Sequence, residues 1–187
     1  MVGKRSIAIL TVLLATSGCG LLFSKTGRVD ECTPEKVSSS QALEKAPVWV
    51  PGSPMRAGLP TTGCLGGDGK HHTDRLCAVS EVTGKTAISQ AEETARQMSL
   101  RLLGESLATR MGPVLGSTTP ADDVTTVSKE LRGVIGRVTD TWVSPTCTAY
   151  AIAEVTLDDF TYVLRGPALS TTARTLLLEH AATVVGP

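Results

Sequence analysis

The clearest pattern along the chain is an apolar stripe at steps of three and four. Ile88, Ala91, Ala95, Met98 and Leu102 begin it, and Leu103, Leu107 and Met111 continue it one position rotated. This spacing predicts an amphipathic helix of about 25 residues. Thr86 is a candidate N-cap, Ser89 with Glu92 an alternative capping box, and Gly112-Pro113 the expected stop. The small Ala91 and Ala95 suit a helix that lies close on a sheet. Period-two segments flank this helix. Leu76 to Val82 reads as a strand with Leu76, Ala78, Ser80 and Val82 on one face and Cys77 and Val79 on the other. Arg137 to Val143 and Cys147 to Leu157 read as a hairpin turning at Ser144-Pro145-Thr146. In the longer strand, Cys147, Ala149, Ala151, Ala153 and Val155 share one face, and Tyr150, Ile152, Glu154 and Thr156 the other.

Further helices complete the pattern. One starts at Thr119-Pro120 with Asp122 and Asp123 in its first turn, and buries Val124, Val127, Leu131, Val134 and Ile135 before stopping at Gly136. A short helix opens at Asp158-Asp159 and runs through Leu164. A last segment, Leu169 to Ala182, groups Ala173, Leu176, Leu177 and His180. The fold class expected is α+β: a small, mainly antiparallel sheet with a long amphipathic helix and further helices packed on one face.

Composition narrows the function classes. The chain has 187 residues, 18 Lys+Arg against 18 Asp+Glu, 41% hydrophobic and 3% aromatic residues. The apolar content argues against disorder. The absent basic excess and scarce aromatics argue against nucleic acid as a partner.

The N-terminus reads as an address. Lys4 and Arg5 precede an apolar run from Ser6 to Ala15, then Thr16, Ser17, Gly18 and Cys19. The run is too short for a bilayer that needs about 20 residues. Small residues leading into Cys19 resemble the lipobox of bacterial lipoproteins, which implies cleavage after residue 18 and acylation of Cys19. Gly20, in place of Asp, implies the outer membrane by the same resemblance. The domain expectation is therefore a signal peptide over 1–18, a flexible tether over 19–46 carrying lipidated Cys19, and a single α+β domain over 47–187. Pro47-Val-Trp49-Val-Pro51 is expected to be extended where the domain begins. Loss of the leader leaves 16 basic and 18 acidic residues, so membrane attachment falls to the acyl chains.

Five cysteines are present, and lipidation of Cys19 leaves Cys32, Cys64, Cys77 and Cys147. An even set in an exported chain suggests two disulfides. The preferred pairing is Cys64–Cys77, stapling the glycine-rich loop over Gly63 to Gly69, with Cys32–Cys147. The rival is Cys77–Cys147 with Cys32–Cys64. No C-x-x-C redox pair exists.

The remaining motifs have modest readings. His71-His72, with Asp68, Asp74 and Cys77 nearby, is a weak candidate for a transition metal; adjacent residues of a strand point to opposite faces, and a solvated loop is the simpler reading. Gly69-Lys70 is no phosphate loop, because Cys64 replaces its first Gly and His71 its Ser/Thr. There is no G-x-S-x-G elbow. Gly133-Val-Ile-Gly136 reads as a helix end, Asp158-Asp159 as helix-start charge, and Glu92-Glu93 as a solvated helix face.

Pro47 and Trp49, the strand Cys77-Ala-Val-Ser80 leading to Ala91 and Ala95, and the strand pair holding Trp142 and Tyr150-Ala-Ile-Ala-Glu-Val155 together resemble a family of small bacterial lipoproteins. The family is named after a twenty-kilodalton membrane antigen. Its fold is similar to the N-terminal domain of a flagellar outer-membrane-ring assembly protein. The resemblance spans about Pro47 to Asp159. It implies an outer-membrane lipoprotein that binds or scaffolds an envelope protein rather than an enzyme, with membrane lipid as its other partner and no cofactor. The alternative is a small-ligand or metal-binding lipoprotein using the His71-His72 loop.

Overall fold

A computed structural model describes residues 30–60, 63–85, 87–116, 136–166 and 169–186. The helix expected from Thr119 to Ile135, the Thr86 cap and the leader with Cys19 lie outside the described residues.

Three antiparallel strands form the centre: β3 (Arg75–Val82), β4 (Arg137–Val143) and β5 (Ala149–Thr156), in the order β3-β5-β4. A two-stranded hairpin, β1 (Cys64–Leu65) and β2 (His71–His72), stands beside them. The helices are α1 (Ser39–Ala42), α2 (Ile88–Leu115), α3 (Leu157–Leu164), α4 (Thr171–Glu179) and α5 (Ala181–Val185). The fold is α+β, with the long helix packed on the sheet.

The two faces of the sheet are covered differently. On one, Ala149, Ala151 and Val82 meet Ala91 and Ala95 of α2. Ser80 Oγ donates to the Ala95 carbonyl at 2.6 Å, an approach that small side chains permit. Farther along, Leu76, Ala153 and Val155 meet Leu103, Leu107, Met111 and Leu115, together with Phe160, Leu164, Ala173, Leu177 and Val184 of α3 to α5. Apart from Gly104, the buried positions of α2 repeat at intervals of four: 91, 95, 99, 103, 107, 111 and 115. At about 3.6 residues per turn such a row winds around the helix. Its first half therefore faces the sheet and its second half also meets the C-terminal helices. This corrects the expected stripe: Met98 and Leu102 are only half-buried, and Ser99 takes the core position.

Two ends of α2 also differ from expectation. The helix passes through Gly112 and Pro113 and ends at Gly116, whose N–H donates to the Gly112 carbonyl. Pro113 costs one backbone donor, and only Val114 and Leu115 follow it in the helix. At the other end neither Ser89 nor Glu92 builds a capping box. Asp30 caps from outside instead, its carboxylate accepting the Ser89 N–H at 2.8 Å and the Ser89 hydroxyl at 2.6 Å. These donors hold Asp30 below the usual carboxylate range.

The expected tether is corrected over residues 30–46. Glu31 bridges to Ala87, α1 is closed by a Ser38–Gln41 capping box, and Ala42 and Ala46 are buried. Its apolar positions are too few to announce a core element. They pack because Trp49, Val48 and Val50 beside them cover the second face of the sheet, with Leu65, Tyr150 and Ile152. Pro47 to Pro51 is a turn, not an extended segment, with the Val50 N–H on the Pro47 carbonyl. The turn lets Val48, Trp49 and Val50 all be buried beside the sheet.

The last helical segment breaks at His180, which is exposed rather than buried. Gly136 lies against α2. A Cβ there would come within 2.8 Å of Leu103 Cδ2 and would require Leu103 or Leu100 to shift.

Candidate functional site

The second face of the sheet carries the polar chemistry. β4 has a bulge between Val138 and Asp140, so Thr139 is an extra residue and two successive polar side chains serve this face. Asp140 Oδ2 accepts the Trp49 indole N–H at 2.9 Å. Thr139 Oγ1 donates to Glu154 Oε1 at 2.7 Å.

Glu154 stands at the centre. It is 1% exposed, in the middle strand, directly between Cys77 of β3 and Arg137 of β4. Gly67 N–H donates to Oε1 at 2.6 Å, and Arg75 Nη1 donates to Oε2 at 2.8 Å. Burial alone raises the carboxyl's affinity for a proton. The Gly67 amide, the Thr139 hydroxyl and the Arg75 guanidinium outweigh it and hold Glu154 below the ordinary carboxylate range. Three of about four acceptor directions of the carboxylate are filled. Such a group is an anchor rather than a free base: it ties the glycine-rich loop, the three strands of the sheet and a half-buried cation together.

The loop fits because it has no side chains at two positions. A Cβ on Gly66 would lie 2.8 Å from Asp68 Oδ1, and one on Gly67 would lie 2.7 Å from Thr139 Oγ1. The Gly66 N–H closes on the Lys70 carbonyl at 2.9 Å.

The four cysteines form two disulfides in the preferred pairing. Cys32–Cys147 has Cα atoms 5.8 Å apart across a sequence separation of 115, and Cys64–Cys77 has Cα atoms 5.4 Å apart across 13. The first bond fastens the N-terminal segment to the β4–β5 turn, where Glu35 N–H also reaches the Pro145 carbonyl at 2.9 Å. Cys147 adopts φ +63°, a left-handed conformation rarely found outside glycine. The turn around it is held by Ser144 N–H to the Thr148 carbonyl and by Cys147 N–H to the Ser144 carbonyl.

His71 and His72 lie on β2, opposite Leu65 and Cys64. His72 Nε2 is 2.9 and 3.0 Å from the two oxygens of Asp68, and its Nδ1 is 3.8 Å from Asp74 Oδ1. An ionised carboxylate only accepts, so the first contact places the proton on Nε2. The His72 ring, ahead of the Lys70 N–H, holds Asp68 low. The two aspartates address different ring nitrogens, so one ion cannot take all three groups. Asp159 forms a reciprocal capping box with Thr156 at the start of α3, the helix-start role expected of that acidic pair. Asp158, Asp159, Thr161, Tyr162 and Arg165 line a shallow cleft of about 380 Å³ on the outer side of α3.

Sequence reasoning missed Glu154, Arg75 and Thr139 as a unit. One signal was visible: a lone acidic residue inside Tyr-Ala-Ile-Ala-Glu-Val, on the face shared with Tyr150 and Ile152. Among the described residues no helix is long and apolar enough to cross a membrane. No protein-family model matches the chain, and no curated protein matches it.

Proposed function

We propose that the protein is a lipid-anchored module of the bacterial cell envelope, facing the periplasm from the outer membrane. It binds or scaffolds another envelope protein and carries no catalytic centre of its own. The observation that carries this reading is the division of the cysteines. Four are paired in two disulfides, which suit an oxidising compartment, and the one left over is Cys19, behind an apolar leader and three small residues. The charge left after cleavage, 16 basic against 18 acidic, favours acyl chains over electrostatic attraction to lipid. The polar groups support binding over catalysis, because buried Glu154 and half-buried His72 are taken up by partners within the fold. The same occupancy of His72 counts against the alternative, a metal-binding His71-His72 loop. The resemblance to the lipoprotein family points the same way.

Fractionation of cells making wild-type protein and Cys19→Ser tests the anchor. Wild type is expected in the membrane fraction, with Cys19→Ser released or stalled as precursor; equal membrane association with normal cleavage would contradict it. Cross-linking in membranes tests the partner: one envelope protein recovered reproducibly is expected, and recovery of none overturns the scaffold reading.

A further inference from the structure

The Cys64–Cys77 bond sits among other potential ligands. Cys64 pairs with His72 across the β1–β2 hairpin, and Cys77 pairs with Glu154 across β3 and β5. Ligand atoms of Cys64, Cys77 and Glu154 all lie within 4.8 Å of one another, the one grouping of three or more such residues among the described residues. We propose that reduction of Cys64–Cys77 converts this corner into a binding site for a thiophilic divalent cation, zinc foremost, held by Cys64, Cys77 and Glu154. The inference goes beyond the anchoring role and does not depend on it.

The donors suit the ion. Zinc takes thiolate at about 2.3 Å and carboxylate at about 2.0–2.2 Å in a tetrahedron, so its donors stand roughly 3.5–3.8 Å apart. That separation lies within the spread of this trio. A fourth position is left for water. The carboxylate keeps one acceptor direction open on Oε2, beside Arg75.

Charge gives the second reason. With the disulfide closed, Glu154 and Arg75 neutralise each other. Opening it to two thiolates would add two negative charges in a buried place, where unpaired charge is costly. A divalent cation restores neutrality. The step balances: a dithiol reductant supplies two electrons and two protons and becomes a disulfide, the S–S bond breaks to two thiols, and the ion displaces both protons.

Cleavage leaves the donors in place. Cys77 remains in the central ladder, and Cys64 remains in a hairpin closed by the Gly66 N–H on the Lys70 carbonyl and tied to Glu154 by the Gly67 N–H. Cys32–Cys147 belongs to no such grouping.

Cobalt(II) is the probe, because thiolate ligation produces a strong sulfur-to-metal charge-transfer band. The purified chain is compared oxidised and after treatment with dithiothreitol followed by anaerobic desalting. The oxidised protein is expected to show no band, and the reduced protein one cobalt per chain with the band. Cys32→Ser/Cys147→Ser should keep the band, Cys64→Ser/Cys77→Ser should lose it, and Glu154→Gln should weaken affinity by at least about tenfold. A reduced wild type without the band overturns the proposal. So does a band that survives in Cys64→Ser/Cys77→Ser or disappears in Cys32→Ser/Cys147→Ser.

Discussion

The two faces of the central sheet are built by different means. Against α2 the contacts are many and alike: Ala149, Ala151, Ala153 and Val155 meet Ala91, Ala95, Leu103 and Leu107. On the opposite face a smaller apolar cluster around Trp49, Val50, Leu65, Tyr150 and Ile152 is joined by single, unlike groups. One tryptophan donates to Asp140, one carboxylate gathers three donors, Cys64–Cys77 fastens the glycine-rich loop, and at the end of the sheet Cys32–Cys147 fastens the N-terminal segment to the β4–β5 turn. The lesson is that the helix face distributes its stability over many interchangeable contacts, whereas the outer face and its adjoining loops add single groups that have no substitute.

Breaking those groups should expose the contrast. The largest loss is expected for Cys32→Ser/Cys147→Ser, about 4–5 kcal/mol in the chain-entropy picture because the closed loop is long, against about 3 kcal/mol for Cys64→Ser/Cys77→Ser. Urea unfolding of both variants checks the order. Next comes Glu154→Ala, which strands the Arg75 guanidinium and the Gly67 amide and should cost about 3–5 kcal/mol. On the helix face, Leu103→Ala should cost about 3 kcal/mol, the usual price of a buried cavity.

Acid sharpens the comparison further. Glu154 is held below its ordinary value of 4.5, so its contribution is present above that pH and lost as pH falls through the lowered value. Glu154→Gln should flatten the acid limb of stability against pH, while Leu103→Ala should shift the whole curve without changing that limb. Asp30→Asn is the mildest: faster amide exchange at Ser89 is expected, with little movement of the unfolding midpoint.

The contrast also explains what could be read from the residues. The helix face was legible because periodicity is a local signal: the strands over 75–82 and 137–143 and the long helix follow from spacing, as does the strand expected from Cys147 except that it begins at Ala149, with Cys147 in the turn. Even there, the four-residue row of α2 was blurred, since its second half packs on helices that spacing alone does not place. The outer face was mostly illegible. Glu154 meets Gly67 across 87 positions and Trp49 meets Asp140 across 91, and no local pattern encodes such pairings. Residues 30–46 looked like a tether for the same reason, because what orders them lies far along the chain, at Ala87, Ser89 and Cys147. Cysteine parity was the exception. It is a count rather than a contact, and with the loop spacing it favoured the observed pairing.

The most direct test of the account is a mass-spectrometric map of the protein isolated from its own membranes, digested without reduction. It should give an acylated peptide beginning at Cys19 and two linked pairs, Cys32 with Cys147 and Cys64 with Cys77. An unmodified Cys19, or Cys77 joined to Cys147, would contradict it.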